Sequence, residues 1–179
     1  MSEPSSLYAR FAIRPEAYDA YRASPVSAPA DFPDWAAWAA SRPMQGEPPS
    51  AAALAEMRGS GETTGAVLDQ WLGEDEQPVE GNVQQHRDDE TWTLSILLFS
   101  ENYFEWMVFL SVLRGVAPYL DDGGGAVLVH DYLWGDTESD MAVLFSDGSS
   151  TLAETIPALL LAEARRHLGA HAAKIEGGG

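Results

Sequence analysis

The sequence of 179 residues contains no cysteine and a single lysine, Lys174. Without cysteine the chain forms no disulfide and offers no thiolate to a metal ion or to a thiol enzyme. Such a chain fits a reducing compartment. Stability must come from a hydrophobic core, and a chain of this length with 45% hydrophobic residues has enough apolar surface to build one.

Long apolar segments are also missing. The most apolar stretch, residues 104–113, is shorter than the roughly 20 residues that a membrane-spanning helix needs. The first residues, MSEPSSLYAR, lack the basic and then apolar pattern of a signal peptide. We therefore expect a cytoplasmic protein that makes no contact with membranes.

Motifs of catalysis and of metal binding are absent as well. The chain has neither G-x-S-x-G nor S-x-x-K. The glycine run 123–125 follows a helix pattern and precedes a strand pattern, the wrong order for a dinucleotide loop. The segment 136–140 begins like a calcium loop, but Met141 stands where such a loop needs glycine. The sequence therefore predicts no enzyme activity, no cofactor and no metal site.

Acidic residues greatly outnumber basic residues in the chain. Twenty-eight acidic residues oppose ten basic ones and give a net charge of −18. Residues 115–164 contain no lysine or arginine. Such a chain repels nucleic acid and anionic membranes, because binding phosphate requires cationic side chains. It attracts a basic protein partner instead, although solubility alone also accounts for an acidic composition.

Hydrophobic periodicity predicts a single α+β domain over residues 1–173. We expect a mixed or antiparallel sheet of about four strands, covered by helices and built from residues 7–13, 91–99, 126–134 and 141–145. Helices are predicted from Pro15, over 101–114 with Ser100 as the cap, and over 155–168. Residues 31–72 indicate a helical insertion or subdomain, 73–90 a polar loop, and 174–179 a disordered tail.

Aromatic side chains stand beside carboxylates near the predicted ends of the third strand. Aromatic rings and carboxylates together bind arginine and lysine side chains, through cation–π contacts and ion pairs. Tyr132 and Trp134 are the expected anchors, and the acidic residues supply the field. The predicted partner-binding residues are Tyr119, Asp121, Asp122, Asp131, Tyr132, Trp134, Asp136, Glu138 and Asp140.

The segments SENYFEWMVFLSVLRG and VLVHDYLWGDTESDMAVLF, in a small acidic chain poor in lysine, resemble immunity proteins of interbacterial toxin systems. The resemblance covers mainly residues 91–152 and transfers no functional residue. It implies a stoichiometric inhibitor that occludes the active site of a bacterial toxin. The leading hypothesis is therefore an acidic, immunity-type inhibitor of a basic protein.

Two other functions remain open at this point. His130 and Asp131 end a predicted strand, so one of them must point inward, and a buried histidine beside a carboxylate can act as a general base. The chain would then be a small-molecule-binding domain or an enzyme with a pocket around these two residues. Alternatively, carboxylates spaced like phosphates would make it a nucleic-acid mimic.

Overall fold

The computed structural model describes residues 4–42, 47–74, 77–78, 81–135 and 137–177. The strands are β1 Ser5–Ala12, β2 Gly73–Glu74, β3 Gln77–Pro78, β4 Val83–Arg87, β5 Thr91–Ser100, β6 Gly125–His130, β7 Met141–Ser146 and β8 Ser149–Leu152. The α-helices are α1 Pro15–Ala23, α2 Asp34–Ala40, α3 Ala51–Glu56, α4 Thr64–Leu72, α5 Tyr103–Arg114 and α6 Ala158–Gly177. Two 3-10 turns, Pro29–Asp31 and Ala117–Tyr119, connect them.

One antiparallel sheet of six strands organises the domain, in the order β4-β5-β1-β6-β7-β8. The prediction of an α+β fold is confirmed, but the expected number of about four strands is too low. The two additional strands, β4 and β8, form the edges of the sheet. β4 lies within the segment that we predicted to be a polar loop, and its sequence, Val83 to Arg87, keeps only one apolar residue because an edge strand is half solvated.

The sheet is covered by helices on both faces. Along β1, Leu7, Ala9 and Phe11 face a core that is completed by helices α1 to α5. Tyr8, on the opposite face, packs into a second cluster with Leu160 and other residues of α6. This alternation follows from the two-residue period of a strand, and it produces three layers.

The helical block at 31–72 belongs to the same core as the sheet. Trp35, Leu54 and Leu68 are each almost fully buried in the cluster that contains β1. Trp35 also donates its Nε1–H to Ser111 Oγ of α5 at 2.9 Å. Helices α2, α3 and α4 of this block therefore pack on the same core as the sheet.

Most helix starts follow the local signals of the sequence. Pro15 opens α1, and Thr63 caps α4 by accepting a hydrogen bond from Ala66 N. The cap of α5 is Asn102 and not Ser100, which belongs to β5. No helix in the described part of the chain combines the length and apolar character that crossing a membrane requires.

Helix α6 is longer than predicted and is held on the sheet by polar contacts. It continues to Gly177, so residues 174–177 of the expected tail are helical. Glu163 accepts hydrogen bonds from Tyr8 Oη at 2.8 Å and from Arg10 Nε at 2.9 Å. His171 lies 2.9 Å from Ser95 Oγ and 2.7 Å from the carbonyl oxygen of Gly81. These contacts extend the docked length of the helix beyond its apolar residues.

Candidate functional site

The structure divides the predicted partner-binding residues into two groups at opposite ends of β6. Tyr119, Asp121 and Asp122 precede this strand, whereas residues 131–140 form the loop from β6 to β7. A strand of six residues separates the groups by about 20 Å. The two groups therefore form two separate surfaces. Asp136 lies outside the described residues.

A buried histidine–aspartate pair fixes the base of the β6–β7 loop. His130 Nδ1 lies 2.9 and 2.8 Å from the two carboxylate oxygens of Asp140, and the side chains are 1% and 2% exposed. On the other side of the ring, Arg165 of α6 donates its Nε–H to His130 Nε2 at 3.3 Å. A ring protonated on Nδ1 satisfies both contacts. Both ring nitrogens are therefore engaged inside the protein.

Two further contacts hold the same loop. The guanidinium of Arg42, just after α2, donates hydrogen bonds to the carbonyl oxygens of Glu138 at 3.2 Å and Asp140 at 3.3 Å. Asp131 is only 8% exposed and accepts a hydrogen bond from Trp134 N at 3.1 Å. The carboxylates of Asp131 and Asp140 are thus buried and support the loop from inside, whereas the sequence led us to expect both on an exposed surface.

His130 hydrogen-bonds to Asp140, nine residues beyond the predicted partner Asp131. With its ring 1% exposed and both nitrogens occupied, His130 has no free position for a substrate proton. These contacts hold the β6–β7 loop in place, so we call them the clamp. They give no support to a ligand pocket around His130 and Asp131.

Exposed apolar side chains project from the outside of this loop. Leu133 is 47% exposed and Trp134 is 51% exposed. Glu138 is also exposed. Tyr132, in contrast, is half-buried against the α6 cluster, where its hydroxyl lies close to Gly169. Of the two predicted anchors, only Trp134 is presented to solvent.

Two more exposed apolar residues lie at the same end of the sheet. β5 and β6 flank β1 and both end beside its first residues, because Ser100 pairs with Ser5 and His130 with Ser6. Just before the end of β5 the register of the ladder shifts, and Leu98 bulges outward with φ of 54° and 41% exposure. Phe104, in the first turn of α5, is also 41% exposed.

We call Leu98, Phe104, Leu133, Trp134 and Glu138 together the tip surface. It holds four of the six large hydrophobic side chains that are exposed in the described part of the chain. Leu98 and Phe104 were not predicted, because both belong to strongly apolar runs that indicate burial. No local signal marks the bulge that turns Leu98 outward.

The other end of β6 is acidic but partly neutralised. Asp121 pairs with Arg14 at 3.2 Å, and Asp122 is exposed. Tyr119 is half-buried with its ring 5.9 Å from that of Tyr21. Asp121 and Asp122 line a polar cleft together with Asp147 of the β7–β8 turn.

An unpredicted ion pair lies near this end, between α5 and α2. Arg114 Nη1 and Nη2 donate to the two carboxylate oxygens of Asp34 at 2.8 and 2.9 Å. Arg114 also donates to the carbonyl oxygen of Ser150 at 3.0 Å, and Asp34 accepts from Leu152 N at 3.0 Å. The pair therefore forms hydrogen bonds with a backbone C=O and a backbone N–H on the outer side of β8, where a neighbouring strand would otherwise bind.

A cavity of about 590 Å³ adjoins this pair. It is open to solvent and is lined by the turn before α2, the end of α5 and the first residues of β8. Its wall includes Asp31, Phe32, Pro33 and Pro118 beside the ion pair. No group of three or more histidine, aspartate or glutamate side chains in the described ranges is arranged to hold a metal ion.

Together the fold and these sites define a three-layer α+β domain with an apolar tip surface at one end and a cavity beside the Arg114–Asp34 pair at the other. Comparison with models of known families, with curated proteins and with solved structures found no match.

Proposed function

We propose that the chain is an acidic inhibitor of immunity type, which binds a basic protein through the tip surface and covers its active site. The observation that carries this proposal is the exposure of Leu133 and Trp134 on a loop that is clamped from inside. An exposed aromatic side chain on a rigid support loses little conformational entropy on binding, which is the property of an interface anchor.

The composition of the tip surface fits a protein interface. Interfaces have an apolar centre rich in aromatic residues and a polar or charged rim. Here Trp134, Leu133, Leu98 and Phe104 supply exposed apolar area at one end of the sheet.

The charge at this end favours a basic partner. Glu138, Glu101 and Glu105 are exposed around the apolar side chains. Arg42 and Arg165 also approach this end, and each directs hydrogen bonds to uncharged acceptors of the protein. With a net charge of −18 over the whole chain, a basic protein is attracted over a long range and docks on the apolar centre.

Affinity capture with matched variants tests the proposal. The immobilised chain is exposed to lysate of the native cell, and the retained basic protein is purified and its affinity measured. Trp134→Ala is expected to weaken binding by at least about 30-fold, the loss typical of a central anchor. Leu159→Ala is the control, because Leu159 is an apolar residue of α6 that is 87% exposed and is not part of the tip surface.

Charge reversal locates the surface. Glu138→Lys and Asp122→Lys change the net charge equally but lie at opposite ends of β6. We expect Glu138→Lys to slow association several-fold more than Asp122→Lys, with a smaller salt dependence than the unaltered chain. Equal effects of the two reversals would reject the tip surface as the binding site. In a further assay, one equivalent of the chain must abolish the activity of the captured partner if the chain is an inhibitor.

A further inference from the structure

We propose that the cavity beside the Arg114–Asp34 pair is a binding site for a small organic cation, namely a guanidinium, amidinium or ammonium group on an apolar body. The cavity is at the end of β6 opposite the tip surface, so this inference is independent of the proposed function. Its volume of about 590 Å³ falls within the range of small-molecule sites, roughly 300–1,000 Å³.

The ion pair at the wall of the cavity determines which sign of charge the ligand must have. Arg114 is 2% exposed, whereas Asp34 is 34% exposed. The guanidinium is also covered by Phe32, whose ring centroid lies 4.1 Å from Arg114 Cζ. The pair therefore presents its negative half to the cavity, and Asp31, an exposed residue of the wall, adds a second carboxylate.

Both carboxylates retain acceptor capacity. Each carboxylate oxygen accepts about two hydrogen bonds. Asp34 Oδ1 accepts one, from Arg114 Nη1, and Asp31 Oδ2 accepts one from Ala28 N at 2.7 Å. A planar cation with several N–H groups matches these acceptors, as guanidinium groups do when they bind carboxylates.

The remaining walls suit an apolar body attached to the cation. Pro33, Pro118 and Ala117 line the cavity with Phe32, whose ring also attracts a cation. Ser149 and Thr151 of β8 add hydroxyl groups at the rim. An anionic ligand would meet two carboxylates with the nearest guanidinium buried, which excludes it on electrostatic grounds.

The site is tested by titrating the intact chain with benzamidine while the amide chemical shifts are monitored by NMR. We expect saturable shifts at Gly115, Ser149 and Thr151. Benzamide, which has the same shape without the charge, is expected to bind at least about tenfold more weakly. Benzoate is expected not to bind.

Two aspartate variants distinguish binding in this cavity from nonspecific attraction of a cation to an acidic protein. Asp31→Asn keeps the oxygen that accepts from Ala28 N and is expected to weaken benzamidine binding about three- to fivefold. Asp19→Asn, an equal change of charge on the exposed side of α1, is expected to leave it unchanged. Equal binding of benzamide, shifts scattered over the surface, or an unaltered affinity of Asp31→Asn would overturn the proposal.

Titration with a blocked arginine, N-acetylargininamide, distinguishes two sources of the cation. Tighter binding of benzamidine indicates a free small molecule, and tighter binding of the blocked arginine indicates a protein side chain. Binding of neither refutes the site. Because these titrations contain no partner protein, their outcome and that of the capture experiment are separate.

Discussion

Removing either half of the Arg114–Asp34 pair is expected to destabilise the protein unequally. In Asp34→Ala the guanidinium of Arg114, 2% exposed, remains buried without its carboxylate, and Leu152 N loses its acceptor. Breaking a buried pair in this way costs about 3–5 kcal/mol of unfolding free energy. In Arg114→Met the orphaned carboxylate is 34% exposed and recovers water, so the cost falls to about 1.5–3 kcal/mol.

Urea denaturation followed by far-ultraviolet circular dichroism measures both costs without interference from nearby tryptophans. The double variant completes the cycle, and we expect it to cost less than the sum of the single variants by about 1–3 kcal/mol. An Arg114→Met variant that is as unstable as Asp34→Ala, or less stable, would show that the exposure difference does not govern the pair. The interpretation of the cavity as cation-selective would then lose its electrostatic basis as well.

Three other predictions concern the core, the loop and the pH dependence. Leu68→Ala, at a buried position of α4, should lower the unfolding free energy by about 2–5 kcal/mol at an unchanged denaturant slope, and a changed slope would contradict simple cavity formation. His130→Ala leaves the buried carboxylate of Asp140 without its charge-assisted partner. It should cost about 2–4 kcal/mol and increase fast motion of the Trp134 indole in heteronuclear relaxation, whereas an unchanged relaxation rate would argue against the clamp. Burial lowers the pKa of His171 below its ordinary value, so the unfolded chain binds the proton more readily and stability falls as pH decreases through the unfolded pKa of about 6.5. Urea midpoints at pH 7 and pH 5.5 should therefore differ less in His171→Gln than in the unaltered chain, and an equal difference would exclude His171 as a source of the loss.

The parts of the fold that the sequence predicts are those with strong local signals. β1 and β5 have apolar runs or alternation, and α1 begins at Pro15, so the two strands and this helix start were predicted to within a few residues. β4 and β8 escaped prediction because their sequences are polar or short. Both are stabilised by backbone pairing with an inner strand, which depends on distant residues.

Prediction of the candidate sites is limited in the same way, because their geometry depends on residues that are distant in the sequence. The sequence singles out Trp134 because it is aromatic and near acids, but the orientation of Asp131 and Asp140 depends on tertiary contacts. Arg42, which donates to the carbonyl oxygen of Asp140, is 98 residues away in the chain. Arg114 and Asp34 are 80 residues apart. A pattern of local spacing contains no information on such pairs.

Leu98 has a consequence for how the sequence tolerates substitution. Its φ of 54° lies in the left-handed region, which glycine and asparagine adopt more readily than leucine. Replacing it with glycine should therefore raise the melting temperature, because relief of this strained backbone conformation is expected to outweigh the loss of a side chain that is already 41% exposed. If Leu98 is replaced by each of the other amino acids and the variants are selected for thermal stability, we expect glycine to be favoured. If the tip surface binds a partner as proposed, selection for that binding is expected to favour leucine at this position instead.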